Sequence, residues 1–220
     1  MKRNLLYIVC SKKFKYYFIL TILLFILSFV SATSYVSAVS KNIASNVFRL
    51  HVIANSDSQE DQRLKYIVRD KILEYVNDIG QNASSKEELI SMLNLNEIQK
   101  IAKDTVEKQG YSYDVSVEIG NFSFPTKQYG DISLPAGFYD ALEVKIGSAK
   151  GKNWWCVMFP PLCFVDVSSG IVPDNSKETL KNSMNEEEYK LISDTNDSEM
   201  NFKFKIIELF NTVNTKLAKK

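Results

Sequence analysis

The segment NWWCVMFPPLCFVD, residues 153–166, constrains the fold of this 220-residue chain more than any other stretch. Cys156 and Cys163 are seven residues apart, and a fully extended backbone would separate their Cα atoms by roughly 23 Å. A disulfide needs Cα atoms within about 7 Å of each other, so that bond requires a chain reversal. Pro160 and Pro161 favour such a turn. We therefore expect a disulfide or a proximal pair, with two buried free thiols as the alternative.

The first 38 residues predict export from the cytoplasm. They hold five basic residues and no acidic ones, and the uncharged run YYFILTILLFILSFV occupies residues 16–30. A basic start, an apolar run and small residues at the end define a secretory signal peptide. Ala38 is the expected cleavage site, and an uncleaved signal anchor is the alternative. In both cases the rest of the chain is exported, because a basic flank stays in the cytoplasm.

The exported part opens with a strand and continues with helices. FRLHVIAN, residues 48–55, alternates its side chains in the manner of a strand. Ser58 and Ser85 each precede an acidic residue by three positions, which is a helix-start pattern. Helical apolar spacing then predicts one helix from Ser58 to Gly80 and a second from Ser85. A third helix is predicted from about residue 96 to residue 110.

The pattern next changes to the two-residue period of strands. Residues 111–119 predict a half-buried strand, with a turn at Gly120-Asn121 into another, and residues 142–146 predict a further one. NWWCVMF is apolar on both faces, which favours a central strand. We therefore predict an α+β fold: a mostly antiparallel sheet with a helical insertion after the first strand.

Four parts follow from these patterns. Residues 1–38 are the signal peptide or signal anchor, and residues 39–166 are the folded domain. Residues 167–201 predict a polar linker with one short helix near residues 186–192. Residues 202–220 predict a C-terminal amphipathic helix, which packs on the domain or meets a partner or a membrane surface.

Catalytic chemistry is poorly represented. His51 is the only histidine, and a secreted thiol hydrolase acting on peptide or cell wall would need it beside a cysteine and an orienting group such as Asn55 or Asp57. Apolar surroundings raise the pKa of a thiol rather than activate it, so we keep this enzyme only as the alternative. Cys156, Cys163 and His51 also lack zinc-knuckle spacing. We expect no cofactor, and a net charge of +1 predicts no nucleic-acid partner.

Two long motifs indicate a family. FRLHVIANSDSQEDQRLKYIVRDKIL and LPAGFYDALEVKIGSAKGKNWWCVMFPPLCFVD closely resemble the signatures of stage II sporulation protein R, over residues 46–166. The resemblance implies a non-enzymatic signalling protein of endospore-forming bacteria, exported from the forespore into the intermembrane space. There it would activate a membrane-embedded aspartic protease of the mother cell, which processes pro-sigma-E.

Candidate partner-binding residues lie at two places in the chain. Trp154 and Trp155 point to opposite faces of a strand, so one is core and the other is left for an interface. Helix capping also leaves several polar groups of the first strand–helix junction unexplained. The candidates are His51, Asn55, Asp57 and Arg69 at that junction, with Trp155, Pro160 and Pro161 at the other place.

Overall fold

The computed structural model of the chain describes residues 12–163 and 172–193. The chain divides into two compact units, with the boundary after Val39. The predicted helix at residues 202–220 lies outside the described residues.

The N-terminal helix α1 (Lys12–Ser45) contains the apolar run. Lys13–Ser31 has a mean hydropathy of 2.0 over 19 residues and is long and apolar enough to cross a membrane. A signal sequence and a membrane anchor both have this character near an N-terminus. Ala38 is an exposed residue of α1, and cleavage after it stays a prediction.

Three helices follow the first strand, as the sequence predicts. Ser58 Oγ accepts a hydrogen bond from the Asp61 N–H at 3.1 Å, and Ser85 Oγ accepts one from the Glu88 N–H at 3.1 Å. Each bond satisfies a free N–H of a first helical turn, which is why these helices begin where they do. The elements are β1 (Phe48–Ile53), α2 (Gln59–Gly80), α3 (Lys86–Met92) and α4 (Leu95–Lys108).

Five further strands complete the described sheets: β2 (Val115–Phe124), β3 (Lys127–Tyr129), β4 (Ile132–Leu134), β5 (Gly137–Ile146) and β6 (Asn153–Phe159). The main sheet has the order β2-β5-β1-β6, and β3 and β4 form a separate hairpin. β1 runs parallel to β5, and the other neighbours are antiparallel. The predicted α+β class, with a mostly antiparallel sheet and a helical insertion after β1, is confirmed.

Two strand predictions are wrong. Gly120 and Asn121 do not form a turn, because they pair with Ala141 and Asp140 within one continuous ladder between β2 and β5. NWWCVMF is not central either, because β6 is an outer strand of the described sheet. Its apolar residues are covered by other parts of the chain rather than by strands on both sides.

The two faces of the main sheet differ in chemistry. Phe48, Leu50 and Val52 of β1 lie in the buried apolar cluster with residues of α2, α3 and α4, on what we call the helix-covered face. Side chains of a strand alternate between faces, so the intervening residues lie on the opposite side. We call that side the polar face; its members include Arg49, His51, Glu143, Lys145 and Trp155.

The expected polar linker contains two helices, α5 (Asp174–Ser183) and α6 (Glu186–Ser193). The short helix predicted near residues 186–192 is α6, whereas the sequence did not indicate α5. Val172, Leu180 and Ile192 are fully buried, so the segment packs on the domain. An ion pair of 2.6 Å joins Lys177 Nζ to Asp131 Oδ2, in the turn between β3 and β4.

Candidate functional site

His51 lies at the centre of the polar face. Its Nδ1 is 2.9 Å from Glu143 Oε1, and its Nε2 is 3.0 Å from Asn153 Oδ1. The ring also stacks on Trp155, with centroids 5.9 Å apart. The side chain is therefore held by β5 on one side and β6 on the other, and the residue is only 8% exposed.

A line of charges runs from His51 across the polar face. Glu143 pairs with Lys145, and Lys145 Nζ lies 2.7 Å from Glu118 Oε1. The hydrogen bonds that Lys145 donates to Glu118 and Glu143 raise the pKa of Lys145, and its bond and charge lower the pKa of Glu118. A general acid needs a carboxyl with a raised pKa, so the lowered pKa of Glu118 does not suit that role.

Trp155 lies on the polar face beside the β3–β4 hairpin. Lys127 Nζ is 5.0 Å from the centroid of its ring, within the range of a cation–π contact. The hydroxyl of Tyr129 donates a hydrogen bond to the Trp155 carbonyl at 3.3 Å. Within the described residues, the buried indole N–H has no acceptor.

Arg49 is a residue of this face that sequence reasoning missed. It is 0% exposed, and its guanidinium carbon lies 4.1 Å from the ring centroid of Phe124 and 4.7 Å from that of Tyr139. Nη2 donates a hydrogen bond of 2.7 Å to the Tyr129 hydroxyl. Among the described residues no carboxylate pairs with Arg49, and Nε and Nη1 have no partner. Strand alternation gives its face, but not the aromatic side chains that enclose it.

Arg69 does not join His51. It lies with Trp154 on the other side of β6, its guanidinium carbon 4.4 Å from the Trp154 ring centroid and 5.1 Å from that of Tyr66. The two rings meet edge to face at 5.4 Å. We call Tyr66, Arg69 and Trp154 the Trp154 cluster. As for Trp155, the indole N–H of Trp154 is buried and finds no acceptor in the described part of the chain.

Lys65 adds a buried positive charge beside the Trp154 cluster. It is 1% exposed, and Nζ donates hydrogen bonds to Gln62 Oε1 at 2.6 Å and to the Lys152 carbonyl at 3.0 Å. Burial lowers the pKa of Lys65, and the charges of Arg69 and Lys152 lower it further, whereas the charge of Asp57 raises it.

Asn55 and Asp57 hold the loop between β5 and β6. Asn55 Oδ1 accepts a hydrogen bond from the Ser148 N–H at 2.9 Å, and Asp57 Oδ1 accepts one from the Lys152 N–H at 2.7 Å. Asn55 Nδ2 also donates to Asp61 Oδ2 at 2.8 Å. The structure therefore places both candidates in a loop-closing network, away from His51.

Cys156 and Cys163 form a disulfide with Cα atoms 5.3 Å apart, as the Pro-Pro step predicts. The N–H groups of Leu162 and Cys163 both donate to the Val157 carbonyl at 3.1 Å, which closes the turn. Cys156 belongs to the apolar cluster of the helix-covered face, opposite His51. Neither described cysteine offers a free thiol to that imidazole, and the pair cannot join it around zinc.

The two prolines lie at the far end of β6. Pro160 is buried and Pro161 is exposed. Pro161 lines a cavity of about 260 Å³ together with Met158, Phe159 and residues of α2 and α5. The structure thus brings His51 and Trp155 together and places the prolines, the Asn55–Asp57 network and Arg69 elsewhere.

These features define a disulfide-bonded α+β domain preceded by an apolar helix. The chain belongs to the stage II sporulation protein R family, which matches residues 44–169. It is 42% identical over 143 residues to stage II sporulation protein R of Bacillus subtilis (strain 168). That match covers 63% of this chain and 64% of the relative, just under two thirds of the relative's length. No solved structure matches the chain.

Proposed function

We propose that the chain is an exported sporulation signal, which passes from the forespore to the space between the two cell membranes. Membership of the stage II sporulation protein R family supports the role in sporulation. The apolar helix supports export, as a signal sequence or an anchor. The disulfide also fits, because disulfides persist in oxidising compartments and are rare in the cytoplasm.

The partner in this proposal is the extracytoplasmic part of a membrane-embedded aspartic protease of the mother cell, whose activation leads to processing of pro-sigma-E. The Cys156–Cys163 disulfide is the observation that favours a binding role over a catalytic one. It occupies both described thiols, so the alternative thiol hydrolase has no described nucleophile. The two tryptophans supply anchors of the kind that dominate protein interfaces.

Complementation of a sporulating strain that lacks its own copy of this gene tests the proposal. Processing of pro-sigma-E is followed on immunoblots, with the amount of exported protein and its mobility on non-reducing gels. We expect the wild-type chain to restore processing. Cys156→Ser, Cys163→Ser and the double variant should lose processing in proportion to lost protein, because the bond stabilises the fold.

Cys156→Ser separates binding from catalysis in the same strain, whereas His51→Ala does not, because His51 is also a candidate partner-binding residue. A Cys156→Ser chain that reaches wild-type levels in the folded state, yet supports no processing, would favour thiol catalysis over the proposal. Failure of the wild-type chain to restore processing at normal exported levels would remove the signalling role altogether.

A further inference from the structure

The outer edge of β6 turns backbone groups away from the sheet. The carbonyl of Trp155 accepts a hydrogen bond from the Tyr129 hydroxyl, and the carbonyl of Val157 accepts bonds from the chain that follows the strand. Both carbonyls therefore point away from β1. Backbone groups of alternate residues in a strand point to the same side, so Asn153 also faces outward.

Among the described residues, a short length of this edge pairs with no other strand. The turn after β6 covers it at Val157, and the Tyr129 hydroxyl occupies the Trp155 carbonyl, but no described strand pairs with residues 153–155. Asn153 is exposed. Unpaired strand edges are templates on which an extended segment can add by backbone hydrogen bonds.

The two tryptophans flank the open edge, one on each face of the sheet. Each has a buried indole N–H that lacks an acceptor within the described residues. A buried donor without a partner costs free energy, so an incoming oxygen would be favoured at both places. This observation points to a ligand that brings acceptors to both faces at once.

A cation accompanies each indole. Arg69 lies over Trp154 at 4.4 Å, and Lys127 lies over Trp155 at 5.0 Å. Lys127 has no ion pair in the described part of the chain, and the carboxylate that pairs with Arg69 there belongs to its exposed neighbour Asp70. Buried Lys65 is a further cation beside the Trp154 cluster, with Nζ 4.8 Å from the Tyr66 ring centroid. The ligand that complements these groups is therefore anionic.

We propose that the open edge at residues 153–155 receives an extended acidic segment of the partner, with two consecutive acidic residues. Side chains of an added strand alternate between faces. One carboxylate therefore meets Arg69 and the Trp154 indole, and the next meets Lys127 and the Trp155 indole, once these long cationic side chains shift. The proposal deepens the proposed function, because it names the chemistry by which that partner is recognised.

Tryptophan fluorescence of the full chain in detergent micelles tests this site directly, since the chain has two tryptophans and both lie there. The probe is the peptide acetyl-Thr-Val-Glu-Glu-Val-Thr-amide, and its matched control has Gln-Gln in place of Glu-Glu. We expect saturable binding of the acidic peptide, with a Kd about tenfold lower than that of the control, as two partly exposed ion pairs would give. Equal binding of both peptides, or a saturable response to neither, would overturn the proposal.

Matched variants assign the effect to the two cations. Arg69→Gln/Lys127→Gln should raise the Kd of the acidic peptide about tenfold, to that of the Gln peptide. Lys71→Gln/Lys103→Gln removes the same charge from an exposed and a half-buried ion pair elsewhere and should leave the Kd within about twofold. Similar losses in both double variants would mean that net charge, rather than this site, binds the peptide.

Backbone methylation tests the strand pairing itself. Alternate N–H groups of an added strand face its neighbour, so N-methylation of one glutamate should abolish binding, and N-methylation of the other should be tolerated. Equal effects at both positions would overturn edge pairing. These assays involve no sporulating cell, so their failure would leave the processing result, and the proposed function, standing.

Discussion

Trp154 and Trp155 are adjacent in the sequence, yet they belong to opposite faces of the sheet. Trp154 packs with Tyr66 and Arg69 of α2, whereas Trp155 stacks on His51. Deeper in the sheet the helix-covered face is apolar, and the polar face holds buried charged groups. Burial of apolar area stabilises a fold, whereas buried charges do so only when they are well paired. We infer that the helix-covered face mainly holds the domain together.

We expect the largest loss of stability from a substitution on the helix-covered face. Leu50 is fully buried between β5 and β6, and Leu50→Ala should lower the free energy of unfolding by about 3 kcal/mol. Urea unfolding followed by circular dichroism measures the change. A loss below about 1 kcal/mol would mean that this face contributes less than its burial indicates.

Loss of the disulfide should have the next largest effect. The bond closes a loop of seven residue steps, so Cys156→Ser/Cys163→Ser should cost about 2.5 kcal/mol, mainly by freeing the unfolded chain. The same unfolding assay, with and without reductant on the wild-type chain, measures it. A wild-type chain whose stability is unchanged by full reduction would contradict this expectation.

Arg49 allows the matching stability test on the polar face. No described carboxylate pairs with its buried guanidinium. The free energy of unfolding of Arg49→Met should therefore stay within about 1 kcal/mol of the wild type in urea. Tyr129→Phe serves as the control, because it removes the hydroxyl that accepts from Arg49 without removing the charge. A loss above about 3 kcal/mol for Arg49→Met would show that the aromatic rings more than compensate the buried charge.

The smallest expected effect is a pH dependence at the loop network. Burial acts to raise the pKa of Asp61, but hydrogen bonds from Ser56, Asn55 and Tyr113 outweigh it and hold that pKa below its usual value. The folded state therefore binds the proton less readily than the unfolded state. The resulting stability is present above the unfolded pKa of about 3.9 and is lost as the pH falls through the folded pKa.

Comparison of wild type with Asp61→Asn between pH 7 and pH 3 measures this contribution. The difference in free energy of unfolding should be constant at the upper end and shrink below a pH of about 4. A difference that does not change with pH would show that Asp61 stabilises the loop only through its shape and neutral hydrogen bonds.

Local patterns were sufficient for much of the fold. Ser58 and Ser85 mark helix starts because their hydroxyls can reach an N–H three residues ahead. Alternation places Trp154 and Trp155 on opposite faces because successive strand residues must diverge. The reach of the chain and the Pro-Pro step predicted a turn between Cys156 and Cys163, but they left a disulfide and free thiols both open.

Contacts between distant segments were not available from the sequence. Residues of β6 are buried by the hairpin and by their own turn, so apolar content on both faces did not make the strand central. The register that sets His51 opposite Trp155 depends on how β1 and β6 pair. Arg49 looked like a polar strand residue because nothing local shows that Tyr129 and Phe124 lie over it. α5 was not predicted because its sequence is mostly polar and only Ser176 and Leu180 of it are buried.

Processing of pro-sigma-E in the complemented strain shows whether recognition resides at the edge of β6 while the helix-covered face holds the fold together. We expect Arg69→Gln/Lys127→Gln to be exported at wild-type levels and to support little processing. Lys71→Gln/Lys103→Gln, with the same change of charge, should process normally. Normal processing by the first variant, or equal losses in both, would show that the edge of β6 does not recognise the partner.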